Sequence, residues 1–171
     1  MDRQKWIDKK FNFNLSQSGY DKILNQLLEN PEKLSNLVSA LPSYKLIKKV
    51  DGKWSIQENI GHLIDLEELH DGRIDDFIAG KEILRPADMN NKQTDEANYN
   101  DKNIIELLSE LKIVRKNFVK RLKTLDTEVL SRNSIHPRLK QQMKPIDMAQ
   151  FVLEHDEHHI QTIKEIIFKL Q

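Results

Sequence analysis

The sequence predicts an all-α protein, an up-down four-helix bundle with a long loop between its second and third helices. Three observations carry that expectation. Apolar residues recur at helical spacing over four long stretches. Only 5 glycines and 5 prolines interrupt the 171 residues. No stretch alternates apolar and polar residues as a half-buried strand would. Four amphipathic helices bury their stripes most simply against one another. The length suits one domain with a real core, so residues 1–171 are read as a single bundle.

The first helical region covers about 18–40, and Pro31 either bends it or starts a second piece. The stretch "LPSYKLIKKVDGK" then connects, ending in an Asp51-Gly52 turn. The second helix has a marked start, because Ser55 and Glu58 form an S-x-x-E capping box, and Gly80 ends it. The polar segment 81–101 lacks periodicity; a lid would suit its length, but an exposed connection is expected. The third helix presents Ile104, Leu107, Leu108, Leu111, Val114, Phe118 and Leu122 on one face. A looser stretch follows, and Pro145 suits the first turn of the last helix.

Composition excludes several functions. Lys+Arg and Asp+Glu each number 27, so the basic excess of a nucleic-acid binder is missing. Without cysteine there is no disulfide, no cysteine nucleophile and no thiolate metal ligand. The start "MDRQKWIDKKF" has no apolar signal core, and no run approaches the ~18 apolar residues of a membrane span. A soluble, cytoplasmic protein is expected, with no membrane partner.

The chemistry concentrates in "FVLEHDEHHIQTIKEI", residues 151–166. At about 100° per residue, His155 and His159 share the middle of the apolar stripe with Met148, Val152 and Ile166. His158 falls at the stripe's edge, and Glu154 and Glu157 point away. Two inward imidazoles at i and i+4 lie about 6 Å apart, close enough to share one cation. The alternative, two core histidines, needs two buried rings satisfied at once. His62 is the best third ligand by residue type and placement. His70 stands about 12 Å further along the same helix, too far to share a metal with His62. His136, beside Pro137, is a rim or surface residue.

These residues resemble the DinB/YfiT-like superfamily. Its marks stand here as Trp54, Ser55, Glu58, His62 and Leu63 on the second helix, then "HP", then His155, Asp156, His158, His159 and Gln161 on the last. Each half-motif alone is weak, and both in this order and separation are specific. The resemblance implies a four-helix bundle holding one divalent metal, Zn or Ni, on His62, His155 and His159. The chain departs from the pattern after "HP", where relatives commonly have glycine and this sequence reads "RLKQQMK". That bears on the rim of the site rather than on the ligands.

The resemblance further implies thiol-transferase-like enzymology, in which a low-molecular-weight thiol is joined to an electrophile. Metal-dependent hydrolysis and a non-catalytic metal-binding role are the alternatives. Asp156 either orients a ligand imidazole or is a solvated acid on the helix flank. Trp54 is expected to pack over the first turn of its helix. A homodimer is expected, since relatives of this kind often pair and zero net charge offers no long-range repulsion.

Overall fold

The computed structural model describes Gln4 and residues 6–171. Four long helices dominate: α1 (Tyr20–Val38), α3 (Ile56–Ile78), α5 (Ile104–Lys123) and α7 (Pro145–Lys169). Short helices α2 (Ser43–Leu46), α4 (Lys92–Glu96) and α6 (Thr127–Ser131) sit in the connections. A two-residue antiparallel pair, β1 (Ser134–Ile135) and β2 (Gln142–Met143), is too short to leave an alternating pattern in the sequence.

Local chemistry places the helix ends. The Ser55 hydroxyl accepts from the Glu58 amide at 3.1 Å and the Glu58 carboxylate accepts from the Ser55 amide at 2.8 Å. This is the expected reciprocal cap. After α3, Gly80 takes φ 65°, a left-handed conformation that costs glycine nothing. Asn103 caps α5 through its side chain, and Pro145 opens α7. The helix α1 runs unbroken through Pro31 rather than dividing in two.

The expected four-helix bundle forms, but the core residues show that its helices do not alternate strictly up and down. One half of the core joins Leu24 and Leu27 of α1, Ile74 and Phe77 of α3, Phe118 and Leu122 of α5, and Met148 and Val152 of α7. The other half joins Leu34 and Val38, Ile56 and Ile60, Leu107 and Leu111, and Ile160 and Ile163. Hence α1 and α7 run one way, α3 and α5 the other. Both α1 and α3 pack mainly against α5 and α7, which leaves α1/α3 and α5/α7 as the diagonals. The segment between α3 and α5 must therefore travel the length of the bundle. Leu84 joins the first half-core and Tyr99 the second.

That crossing is mostly exposed, as expected, but it is anchored at three points. Leu84, Thr94 and Tyr99 are buried against the bundle. Gly61 makes room for it: a methyl group there would collide with the Tyr99 ring. His136, expected at a rim or the surface, is also buried, in the turn between β1 and β2. The same turn holds Lys140 at φ 55°, a left-handed position of the kind glycine fills.

Between the two half-cores each long helix contributes a buried polar residue at one level: Asn30, Glu67, Arg115 and Asp156. Arg115 grips Asp156 through both terminal nitrogens and Glu67 through Nε at 3.0 Å and Nη2 at 2.8 Å. Asn30 donates to Asp156 at 2.9 Å. Burial alone would raise the Glu67 carboxyl, but Arg115 and His70 together hold it below the ordinary range. Arg115→Met strands two buried carboxylates, and breaking such a pair costs about 3–5 kcal/mol. Urea unfolding should report a loss of that size, and a change under 1 kcal/mol would contradict it.

Candidate metal centre

The structure brings His62 of α3 together with His155 and His159 of α7. One ring nitrogen from each lies within 4.8 Å of the others, and all three residues are buried. The Nε2 atoms of His155 and His159 are 3.2 Å apart, and the His62 ring centroid stands 5.4 and 5.0 Å from theirs. Two nitrogens on one tetrahedral zinc at about 2.0–2.1 Å are about 3.3 Å apart, so the spacing fits a shared cation.

The neighbouring hydrogen bonds set the ring tautomers. Thr94 donates its hydroxyl proton to Asp65 at 2.7 Å, so its oxygen accepts from His62 Nδ1–H at 3.1 Å. The Asn59 amide nitrogen donates to the Ser55 carbonyl at 2.7 Å, which turns its oxygen toward His159 Nδ1–H at 2.8 Å. Both rings therefore carry the proton on Nδ1 and present the Nε2 lone pair inward. Outer partners of this kind fix metal-ligating imidazoles. His155 Nδ1 is buried without a hydrogen-bond partner among the described residues. Burial, with the charge of His70 adding, pushes His62 down to about 4. Burial and the adjoining His159 and His62 push His155 well below its ordinary value.

Other predicted residues resolve differently. His158 stays at the edge, partly exposed, with its ring centroid 5.7 Å from that of Trp6. His70 lies deeper on α3, with Nδ1 3.7 Å from Glu67. Asp156 is neither a solvated acid nor bonded to an imidazole, because its oxygens serve Arg115 and Asn30. Trp54 reaches past the first turn: its ring centroid is 4.8 Å from that of His62, and its indole donates to Asp95 at 2.8 Å. Trp6 covers His155 from the other side, with ring centroids 4.9 Å apart.

The sequence reading missed Asn59, Asp65, Thr94 and Trp6. Asn59 could have been found, since it sits on α3 one turn before His62. Nothing in the polar segment singles out Thr94. A cavity of about 600 Å³ opens onto the three histidines, walled by both tryptophans, Leu66, Met89 and Phe151.

A family model described as the DinB superfamily matches residues 26–163. The chain belongs to the DinB superfamily. Solved structures agree on the fold of this DinB-superfamily protein. YfiT from Bacillus subtilis, named as a probable metal-dependent hydrolase with an unusual four-helix bundle topology, superposes with a TM-score of 0.82. The two are 22% identical, over 95% of this chain and 93% of that one. The mycothiol-dependent maleylpyruvate isomerase superposes with a TM-score of 0.67 at 10% identity, over 84% of this chain and 60% of that one. No curated protein matches the sequence. Among the described residues, no helix is long and apolar enough to cross a membrane.

In metal-free protein, His62 should titrate near 4 and His136, buried beside Arg73 and Arg138, near 3. Both lie below the unfolded value of about 6.5, so the unfolded chain takes up protons that the folded chain refuses. Stability should fall as pH drops from about 6.5 toward 4, with both imidazoles neutral above pH 5 in NMR titration. A normal titration of either ring near 6.5 would refute this. Gly61→Ala should push Tyr99 off α3 and release the Asp65–Thr94 bond behind His62. The expected readout is faster amide exchange across 92–101, with the four long helices retained.

Proposed function

We propose that His62, His155 and His159 hold one divalent cation, zinc or nickel, and that the protein joins a low-molecular-weight thiol to an electrophile. The donor set fits: three buried imidazoles meet at one point, and two of them, His62 and His159, are held by outer partners with the Nε2 lone pair inward. When bound, such an ion supplies Lewis acidity that lowers the pKa of a thiol or a water beside it. The chain's own residues do the rest. Thr94 and Asn59 orient the rings, the two tryptophans flank the cluster, and the cavity admits a small molecule.

One observation favours a thiol over water. A hydrolase needs a carboxylate placed to take the proton of the attacking water. Among the described residues lining the cavity, the sole carboxylate is Asp88, and its oxygens accept from the amides of Asn90 and Lys92 at 2.9 Å. Those bonds hold Asp88 below the ordinary carboxylate range and make it a weak base. A thiol, with an unperturbed pKa of about 8.5, gives up its proton far more readily than water. Since the chain has no cysteine, the thiol arrives as a substrate. Metal-dependent hydrolysis remains the second reading, supported by the name of the YfiT neighbour. A homodimer in the cytoplasm completes the proposal, and light scattering at tens of micromolar checks its size.

Elemental analysis of folded protein should find one equivalent of metal in wild type, almost none in His155→Ala or His62→Ala, and most of it in His158→Ala. Equal loss in all three would overturn the ligand set. Turnover of a model electrophile should saturate with added thiol, stop with a chelator and return with zinc or nickel. Ester or amide cleavage at full rate without thiol would transfer the assignment to hydrolysis.

A further inference from the structure

Beyond the histidines, the cavity wall carries Arg73 from α3 and His136 and Arg138 from the turn after β1. Arg73 is 1% exposed. Its single hydrogen bond among the described residues runs from Nε to the Arg85 carbonyl at 3.1 Å, which leaves both terminal nitrogens available toward the cavity it lines. Arg138 donates Nη1 to the Ile7 carbonyl at 3.2 Å, while its Nη2 is buried and unpartnered among the described residues. The His136 Nδ1 accepts from the Leu139 amide at 3.2 Å, so its proton sits on Nε2, which is likewise buried without a partner among the described residues. All three groups are donors.

The guanidinium of Arg115 is equally buried and is met by two carboxylates. Arg73 has none, because the nearby Asp76 is engaged by Arg85 and Lys81 at 2.9 Å each. Burial pushes Arg73 down to about 10, with Asp76 opposing and the Arg138 and Arg85 charges adding. Burial and then Arg73 and Arg138 push His136 down to about 3, which marks the three as mutual neighbours. Asp76 is thus one carboxylate shared among three cations, and a buried cation so weakly compensated, beside two more unmet donors, suits an incoming acceptor.

We propose that Arg73, Arg138 and His136 form an anion subsite that receives a carboxylate of the substrate, at the far end of the cavity from the histidine cluster. Arg73 lies eleven residues beyond His62, about 16 Å along the axis, and its side chain leans back toward the helix N-terminus. The substrate therefore spans roughly 10 Å between its reacting end and its carboxylate. That the reacting end is a thiol rests on the function proposed above; the subsite itself does not.

The test is calorimetric titration of zinc-loaded protein with 6-mercaptohexanoate and 6-mercapto-1-hexanol, thiols that differ only at the far end. The acid should bind at least tenfold more tightly. Arg73→Gln and Arg138→Gln should each bring the ratio of the two affinities toward one. Arg138 is partly exposed, so its variant decides the matter if Arg73→Gln fails to fold. Equal binding of both thiols to wild type, or an undiminished preference in the variants, overturns the subsite. If neither thiol binds, the thiol assignment has failed, and adipate, a six-carbon dicarboxylate without sulfur, tests the subsite by itself. Adipate binding that Arg138→Gln weakens tenfold upholds it; no binding, or binding the variant leaves unchanged, overturns it.

Discussion

A guanidinium buried in the middle of the bundle must be met by carboxylates from more than one side, and that requirement sets how the four helices pack. Arg115 of α5 takes Asp156 across one diagonal and Glu67 from its neighbour α3, and Asn30 of α1 completes the layer. Taking such ions out of water costs several kcal/mol each, returned only when the geometry is near ideal. A slide of any helix by one turn, about 5.4 Å, would leave charges unmet in an apolar core. The apolar half-cores tolerate small displacements; this layer does not.

The histidines inherit that register. Asp156 directly follows His155 in sequence, and His159 is one turn beyond. Glu67 lies on α3 five residues after His62. Once Arg115 holds Asp156 and Glu67, α3 and α7 are pinned beside the cluster. The final alignment of the rings belongs to weaker, nearer groups. Thr94 and Asn59 each accept a hydrogen bond from one imidazole, which selects the tautomer and turns Nε2 inward.

The crossing segment between α3 and α5 is thereby part of the site. It has to run the length of the bundle because α3 and α5 point the same way. Tyr99 lies over Gly61 and bonds Asp65 at 2.5 Å, while Thr94 bonds the other oxygen of that carboxylate at 2.7 Å. A polar stretch with no periodicity of its own is ordered because α3 offers a glycine for its aromatic ring and an acid for its hydroxyls.

The sequence by itself determined the four long helices, their caps at Ser55, Gly80 and Pro145, and the inward placement of His155 and His159. Each of these is a local property: helical period, capping chemistry and angle around a single axis decide it before any helix meets another. The motifs also nominated His62. Tertiary structure alone decided that α3 faces α7, that Thr94 and Asn59 hold the rings, and that Asp156 turns to Arg115 rather than to an imidazole. It likewise placed His136 inside and left Arg73 without a carboxylate. These outcomes depend on which charges meet across helices distant in sequence, and a buried charge looks the same in sequence as a solvated one until its partners are in place.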